Sequence, residues 1–246
     1  MKSSELSNTL PKTSELLVFI HVPKTAGSTV NNYLLRSEKA GLTHAENWID
    51  IKDKVKTEVE KADWISGHVS FPVMRSRLSE CSARNFRFYT VVRDPFKQLA
   101  SSYNWLIEIF HRGEAFYNGH PELIRNISET IRSTDNNRID NVMRQLQAFP
   151  GLFKNLQARH VLGSAPKDMS DTSLEQRLSV YAKIAYEATI PDLVSDISGI
   201  PYSDEVRENV SPYHFDQNVF RDPKMLEFLN DFNTVDIQLY NYISRR

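Results

Sequence analysis

The feature that most constrains this chain is an apolar run that stops abruptly at a small-residue turn. Residues 16–22, Leu-Leu-Val-Phe-Ile-His-Val, read as a buried strand. They break off at Pro23-Lys24-Thr25-Ala26-Gly27-Ser28-Thr29, after which Val30, Tyr33, Leu34 and Leu35 recur at helical spacing. Such a strand, turn and helix start aims backbone N–H groups and the positive end of a helix dipole at one spot. Lys24 adds a mobile charge, and Thr25, Ser28 and Thr29 add hydroxyls. The segment reads as a phosphate-type cradle.

A second stretch narrows the ligand. Residues 86–92, Phe-Arg-Phe-Tyr-Thr-Val-Val, form another strand-like run that ends in Arg93-Asp94-Pro95. Pro95 suits the first turn of a helix, with Asp94 as its cap. Arg93 then stands at the strand end and Ser101 about two turns along the helix. A forked guanidinium and a hydroxyl can hold a second phosphate. Two anion sites at two strand ends suggest a ligand with phosphates at both ends.

Strands alternating with helices predict an α/β fold: a central parallel sheet flanked by helices, in a P-loop-like three-layer sandwich. Ligands of such sheets sit beyond the carboxyl ends of the strands. Residues 1–14 read as a flexible lead-in and 15–246 as one domain. Further strands are expected at 62–66 and 183–189. Helices are expected at 50–61, 72–78, 95–110, 174–180 and 191–197, and a single one over 224–243. Residues 111–170 form a mainly helical insertion, with helices near 121–132, 138–148 and 153–161 and a break at Pro150-Gly151. This is the expected acceptor-binding region. Residues 200–222 read as a loop.

The composition excludes several classes. The 246 residues carry a formal net charge of −1, so no global field draws the chain to nucleic acid. The single cysteine, Cys81, cannot form an internal disulfide. The first fifteen residues lack an apolar signal core. No run approaches the roughly 18 apolar residues needed to span a bilayer. No His, Cys and carboxylate cluster has zinc spacing, so no metal is expected.

The strand–PKTAGST–helix segment resembles the 5'-phosphosulfate loop of sulfotransferases that use 3'-phosphoadenosine 5'-phosphosulfate (PAPS). The segment VVRDPFKQLASSY resembles their 3'-phosphate site, with the same Arg-to-Ser spacing. Gly67-His68-Val69-Ser70 resembles the GHV segment of the heparan and uronyl 2-O-sulfotransferase branch. The three motifs run in order over residues 16–105. Asn155-Leu156-Gln157 and Asp236-Ile237-Gln238-Leu239-Tyr240 are weakly similar to segments of the wider family.

The resemblance implies PAPS as donor, held by Lys24, Thr25, Ala26, Gly27, Ser28 and Thr29 at its 5' end and by Arg93 and Ser101 at its 3'-phosphate. Lys24 is the expected cation beside the bridging oxygen, and His68 the expected base for the acceptor hydroxyl, on a carbohydrate or glycoconjugate. His44, His111 and His120 stand in reserve. The branch often has a second histidine two residues before the first, but here that position is Ser66. The loop Asn209-Val210-Ser211-Pro212 is expected over the nucleotide. Tyr103, Trp105, Phe110, His111, Arg112 and Tyr117 are candidates for an acceptor groove. Without an anchor, a bacterial-type cytoplasmic enzyme is expected, the alternative being the luminal domain of a truncated Golgi enzyme. Acceptor identity and oligomeric state stay open.

Two rival readings share the cradle. A P-loop kinase carries its lysine at the end of a glycine-rich loop, whereas Lys24 precedes the turn and Gly27 is its one glycine. A non-catalytic nucleotide binder would share the fold, which alone does not establish activity. The joint presence of Lys24, His68, Arg93 and Ser101 argues against a decayed site.

Overall fold

The computed structural model describes residues 15–203 and 212–246. The expected lead-in at 1–14 and residues 209–211 of the expected nucleotide loop lie outside the described residues.

Five parallel strands form one sheet in the order β2-β3-β1-β4-β5. They are β1 (Glu15–Ile20), β2 (Gly41–Leu42), β3 (Trp64–Gly67), β4 (Asn85–Val91) and β5 (Tyr181–Ala185). The period of two explains why β1 is central. Leu16, Val18 and Ile20 enter the core on one face, and Leu17 and Phe19 enter the core on the other. In β4, Phe88 points to the first face and Tyr89 and Val91 to the second.

Helices cover both faces. α1 (Gly27–Arg36) follows β1, α2 (Lys52–Lys61) follows β2, and α3 (Phe71–Cys81) follows β3. α4 (Pro95–His111) follows β4. The insertion carries α5 (Glu114–Asn118), α6 (Glu122–Arg132), α7 (Ile139–Ala148), α8 (Pro150–Phe153) and α9 (Leu156–Val161), and α10 (Asp171–Leu178) follows it. After β5 come α11 (Ile190–Ser198), α12 (Pro223–Phe232) and α13 (Thr234–Ser244).

α1 and α11 pack on one face through Val30, Leu34, Leu193, Val194 and Ile197. α2, α3, α9, α10 and α13 contribute to the core on the other. α4, α6, α7, α8 and α12 build a separate core around Leu99, Tyr103, Ile131, Leu146 and Leu229. Each fully buried aliphatic side chain stabilises the fold by about 1.5–3 kcal/mol.

Two expectations are corrected. The last strand lies at Tyr181–Ala185 rather than 183–189, because residues Glu187–Thr189 close into a 3-10 turn. The single helix over 224–243 is two helices, divided at Asn233, whose side chain turns inward to cap the backbone of Asn155. The expected break at Pro150-Gly151 is present: α7 ends at Ala148, and Pro150 opens the short α8, as proline is favoured at a first helical position. β2 was not foreseen: two residues carry no period, and only pairing with β3 makes them a strand.

Candidate active site

Register brings the motifs together. Ile20 of β1 is level with Gly67 of β3 and Thr90 of β4. His21 and His68 therefore leave the sheet at one edge, and β4 runs one residue further, to Val91, before Arg93 follows two residues on. Because all strands are parallel, this edge is their carboxyl end.

The cradle runs from Pro23 into α1. Lys24 and Ala26 both adopt left-handed backbone conformations, with φ of 65° and 74°. Neither is glycine, so each costs of order 1–3 kcal/mol that the surroundings must hold in place. Three bonds do so. The Thr25 hydroxyl donates to the Val22 carbonyl at 2.9 Å, Gln98 Nε2 donates to the Pro23 carbonyl at 3.0 Å, and Arg93 Nη1 donates to the Lys24 carbonyl at 3.2 Å. The Thr25 hydroxyl proton is thus engaged within the loop itself. Gly27 and Ser28 open α1 at the point where helix amides lack intrahelical partners. Thr29 is buried, and Ser28 is half-buried.

Lys24 sits in a cation-rich setting. Burial pushes its ammonium down to about 8, with the Arg112 and Arg93 guanidinium groups adding to the effect and Glu108 opposing it. A negatively charged ligand would relieve this crowding.

Arg93 is held from behind by its backbone. Gln157, fully buried, accepts from the Arg93 N–H and donates to the Arg93 carbonyl, both at 2.8 Å. Gln157 is itself fixed by a reciprocal cap. Asp236 accepts from the amides of Gln157 and Ala158 at the start of α9, while Asn155 Oδ1 accepts from Val235 and Asp236 at the start of α13. Two segments noted only for weak similarity thus anchor the arginine. Asp94 caps α4 as expected, accepting from Lys97 N at 2.9 Å. Ser101 lies two turns into α4 and is half-buried.

His68 stands beyond β3. Its Nδ1 lies 2.8 Å from the His21 carbonyl. A carbonyl only accepts, so Nδ1 carries the proton and Nε2 keeps its lone pair. Burial lowers the His68 pKa below the usual histidine range, against the opposing pull of Glu46 and of the bond to the His21 carbonyl. Glu46 Oε2 accepts the His68 backbone N–H at 2.8 Å, and Glu46 Oε1 holds His44 Nδ1 at 3.0 Å. His44 is therefore a neighbour of the carboxylate rather than an independent base. Ser66 is fully buried, and its hydroxyl has no hydrogen-bond partner among the described residues.

The residues suggested for an acceptor groove divide. Tyr103 belongs to the core, packed against Phe153, Phe215 and Phe220 with its hydroxyl bonded to Gln145 and Asn136. This corrects its assignment. His120 packs its ring edge-on against Trp105 and Phe116. Phe110 is exposed, with the Arg132 guanidinium 3.7 Å from its ring centre and Tyr117 edge-on at 5.6 Å. Arg112 bonds Glu108 at 3.0 Å, His214 bonds the same carboxylate at 2.6 Å, and His111 stacks on His214 at 4.1 Å.

The carboxyl edge of the sheet thus brings together a strained lysine loop, an arginine anchored through its backbone and the His68 imidazole. Residues 8–243 match the sequence profile described as the Sulfotransferase family, which is nearly the whole chain. The chain belongs to the sulfotransferase family. No curated protein matches it. The family is PAPS-dependent, and its α/β sandwich with a parallel central sheet is the fold seen here. Sulfonate transfer is therefore the general activity of this sulfotransferase, and the family implies an acceptor that bears a hydroxyl. Among the described residues no helix is long and apolar enough to cross a membrane, and no group of side chains is arranged to hold a metal ion.

Several residues of this sulfotransferase site escaped the sequence reading. His21 lay hidden inside an apolar run, and Glu46 inside a charged stretch. Gln98 and Gln157 stood inside segments quoted for the resemblance but were given no role, since their partners are 75 and 64 positions away. Their one signal is a long polar side chain placed among apolar neighbours.

Proposed function

We propose that the chain moves the sulfonate of PAPS to a hydroxyl of a carbohydrate or glycoconjugate by in-line transfer, with His68 as base. The acceptor O–H proton passes to His68 Nε2 as the acceptor oxygen bonds to sulfur. The bond from sulfur to the bridging phosphate oxygen breaks, and the negative charge that grows on that oxygen is met by Lys24. The cradle residues Thr25, Ala26, Gly27, Ser28 and Thr29 take the 5' end of the donor, and Arg93 with Ser101 takes the 3'-phosphate. The helices of 111–170, with Phe110, Arg112 and Tyr117, form the acceptor side.

The observation that carries this reading is the shared carboxyl edge, where the Lys24 backbone is bonded to Arg93 and the His68 tautomer leaves Nε2 able to accept a proton. Lys24 and Arg93 supply fixed cations that suit the charge growing on the leaving phosphate.

The test has two arms. Adenosine 3',5'-bisphosphate should raise the melting temperature, whereas ATP with magnesium should not. Labelled PAPS incubated with a glycan panel should give a product heavier by one sulfonate. His68→Ala should abolish that product while still binding the bisphosphate. Stabilisation by ATP with magnesium alone, or full transfer by His68→Ala, would overturn the respective part of the reading.

A further inference from the structure

His21 touches both halves of the site, yet the mechanism above gives its side chain no task. It is 7% exposed and follows the last residue of β1. Its ring lies against the His68 ring, with centroids 4.1 Å apart and planes inclined by 38°. Its other side fills the space above Gly27. A Cβ at position 27 would lie 1.9 Å from His21 Cδ2 and 2.2 Å from Nε2, closer than any real contact. Gly27 is the first residue of α1, and its φ is not left-handed, so backbone conformation does not demand glycine there. The ring does. Asn31, one turn further along α1, approaches His21 Nδ1 at 3.4 Å.

The imidazole is thus wedged between the amide end of the cradle and the face of His68. Close-packed interiors transmit displacement because neighbours have no free volume in which to relax. Burial, with the nearby His68, His44, His160 and Lys24, holds the His21 pKa well below the usual range, so the ring acts as a neutral wedge rather than a second charge.

We infer that His21 is a positioning residue that couples the anion cradle to His68, so that the seating of the loop around Gly27 sets where the His68 ring stands. Calling that ring the base rests on the function proposed above; the coupling itself does not. Catalysis at such a site is sensitive to this placement, since a shift of about 1 Å in a reacting group can cost 10²-fold in rate.

A four-variant cycle read by ¹⁵N imidazole NMR of His68 tests the coupling without substrate or turnover. The proteins are wild type, Gly27→Ala, His21→Ala and the double variant. Gly27→Ala should shift the His68 ring signals in the wild-type background, because the new methyl must displace His21. In the His21→Ala background the same change should produce no further shift. Equal shifts in both backgrounds, or none in the first, would overturn the inference. If Gly27→Ala fails to fold, His21→Ala/Gly27→Ala must restore folding, since the clash has been removed; failure to restore it overturns the inference equally. The base reading is judged separately by His68→Ala, so the two can fail independently.

Discussion

The side chain of Arg93 donates to the backbone carbonyl of Lys24 at 3.2 Å across 69 positions of sequence. This bond joins the two proposed anion sites. The lysine loop is strained, with Lys24 in the left-handed region, and the Arg93 guanidinium helps to hold it there. A ligand that engages Arg93 therefore meets a loop whose shape already depends on that residue.

Removing the guanidinium should accordingly weaken more than one contact. Arg93→Ala is expected to lower the affinity for adenosine 3',5'-bisphosphate by roughly 1.5–3 kcal/mol, the worth of a charge-assisted hydrogen bond. Arg93→Lys should recover only part of that loss, because an ammonium lacks the fork that reaches both the phosphate and the Lys24 carbonyl. Calorimetric titration of the three proteins checks this. Equal affinity across them would remove Arg93 from the site.

Lys24→Ala is expected to lose turnover while the fold survives, since the side chain is only half-buried and its backbone bond to Arg93 does not depend on its identity. Bisphosphate binding should weaken by one charge-assisted contact. A transfer rate within twofold of wild type, measured on any acceptor found with labelled PAPS, would reject its role at the bridging oxygen.

The depressed ammonium predicts a pH effect with a definite sign. Lys24 titrates at about 8 when folded against an unfolded value of 10.5. Between those values the unfolded chain binds more protons, so the ligand-free protein gains stability as pH rises from 8 to 10.5. Below 8 the cost of the crowded cation is fully present, and a bound anion relieves it. The rise in melting temperature on adding bisphosphate should therefore be larger at pH 7 than at pH 10. The opposite order in a thermal-shift series would contradict the cation cluster.

Burial lowers the His68 pKa rather than raising it, which favours the neutral ring. The acid limb of the transfer rate, where the base becomes protonated, should therefore lie below the ordinary histidine value. An acid limb centred above the usual histidine value would point to a different group.

The cap between α9 and α13 gives a prediction far from any ligand. Gln157 holds the Arg93 backbone at both its N–H and its carbonyl. Gln157→Ala leaves those groups unpaired in a buried setting, at about 1–3 kcal/mol each. Asp236→Ala should act in the same direction, since it frees the amides that start α9. Denaturant unfolding should show both losses, and bisphosphate affinity should fall in parallel. Lost stability with unchanged affinity would confine the cap to the fold.

The strands, the cradle and the arginine helix were legible because each carries its signal locally. An apolar run of period two, a small-residue turn, and an Asp-Pro helix start follow from the conformations of adjacent residues. β2 and the division at Asn233 were not legible, because a two-residue strand has no period and the inward turn of Asn233 is decided by Asn155, 78 positions away. Tyr103 looked like an exposed aromatic because helix spacing does not say which of two neighbours a face will meet.

Taken alone, the order of residues determined a parallel α/β sheet and marked the segments proposed to hold negative charge and an imidazole, since all of these are read from contiguous segments. Only the folded chain decided that Ile20, Gly67 and Thr90 lie level, that Gln157 grips the backbone of Arg93, and that His21 separates Gly27 from His68. Those relationships join distant positions through strand register and close packing, and neither leaves a mark in any local window of sequence.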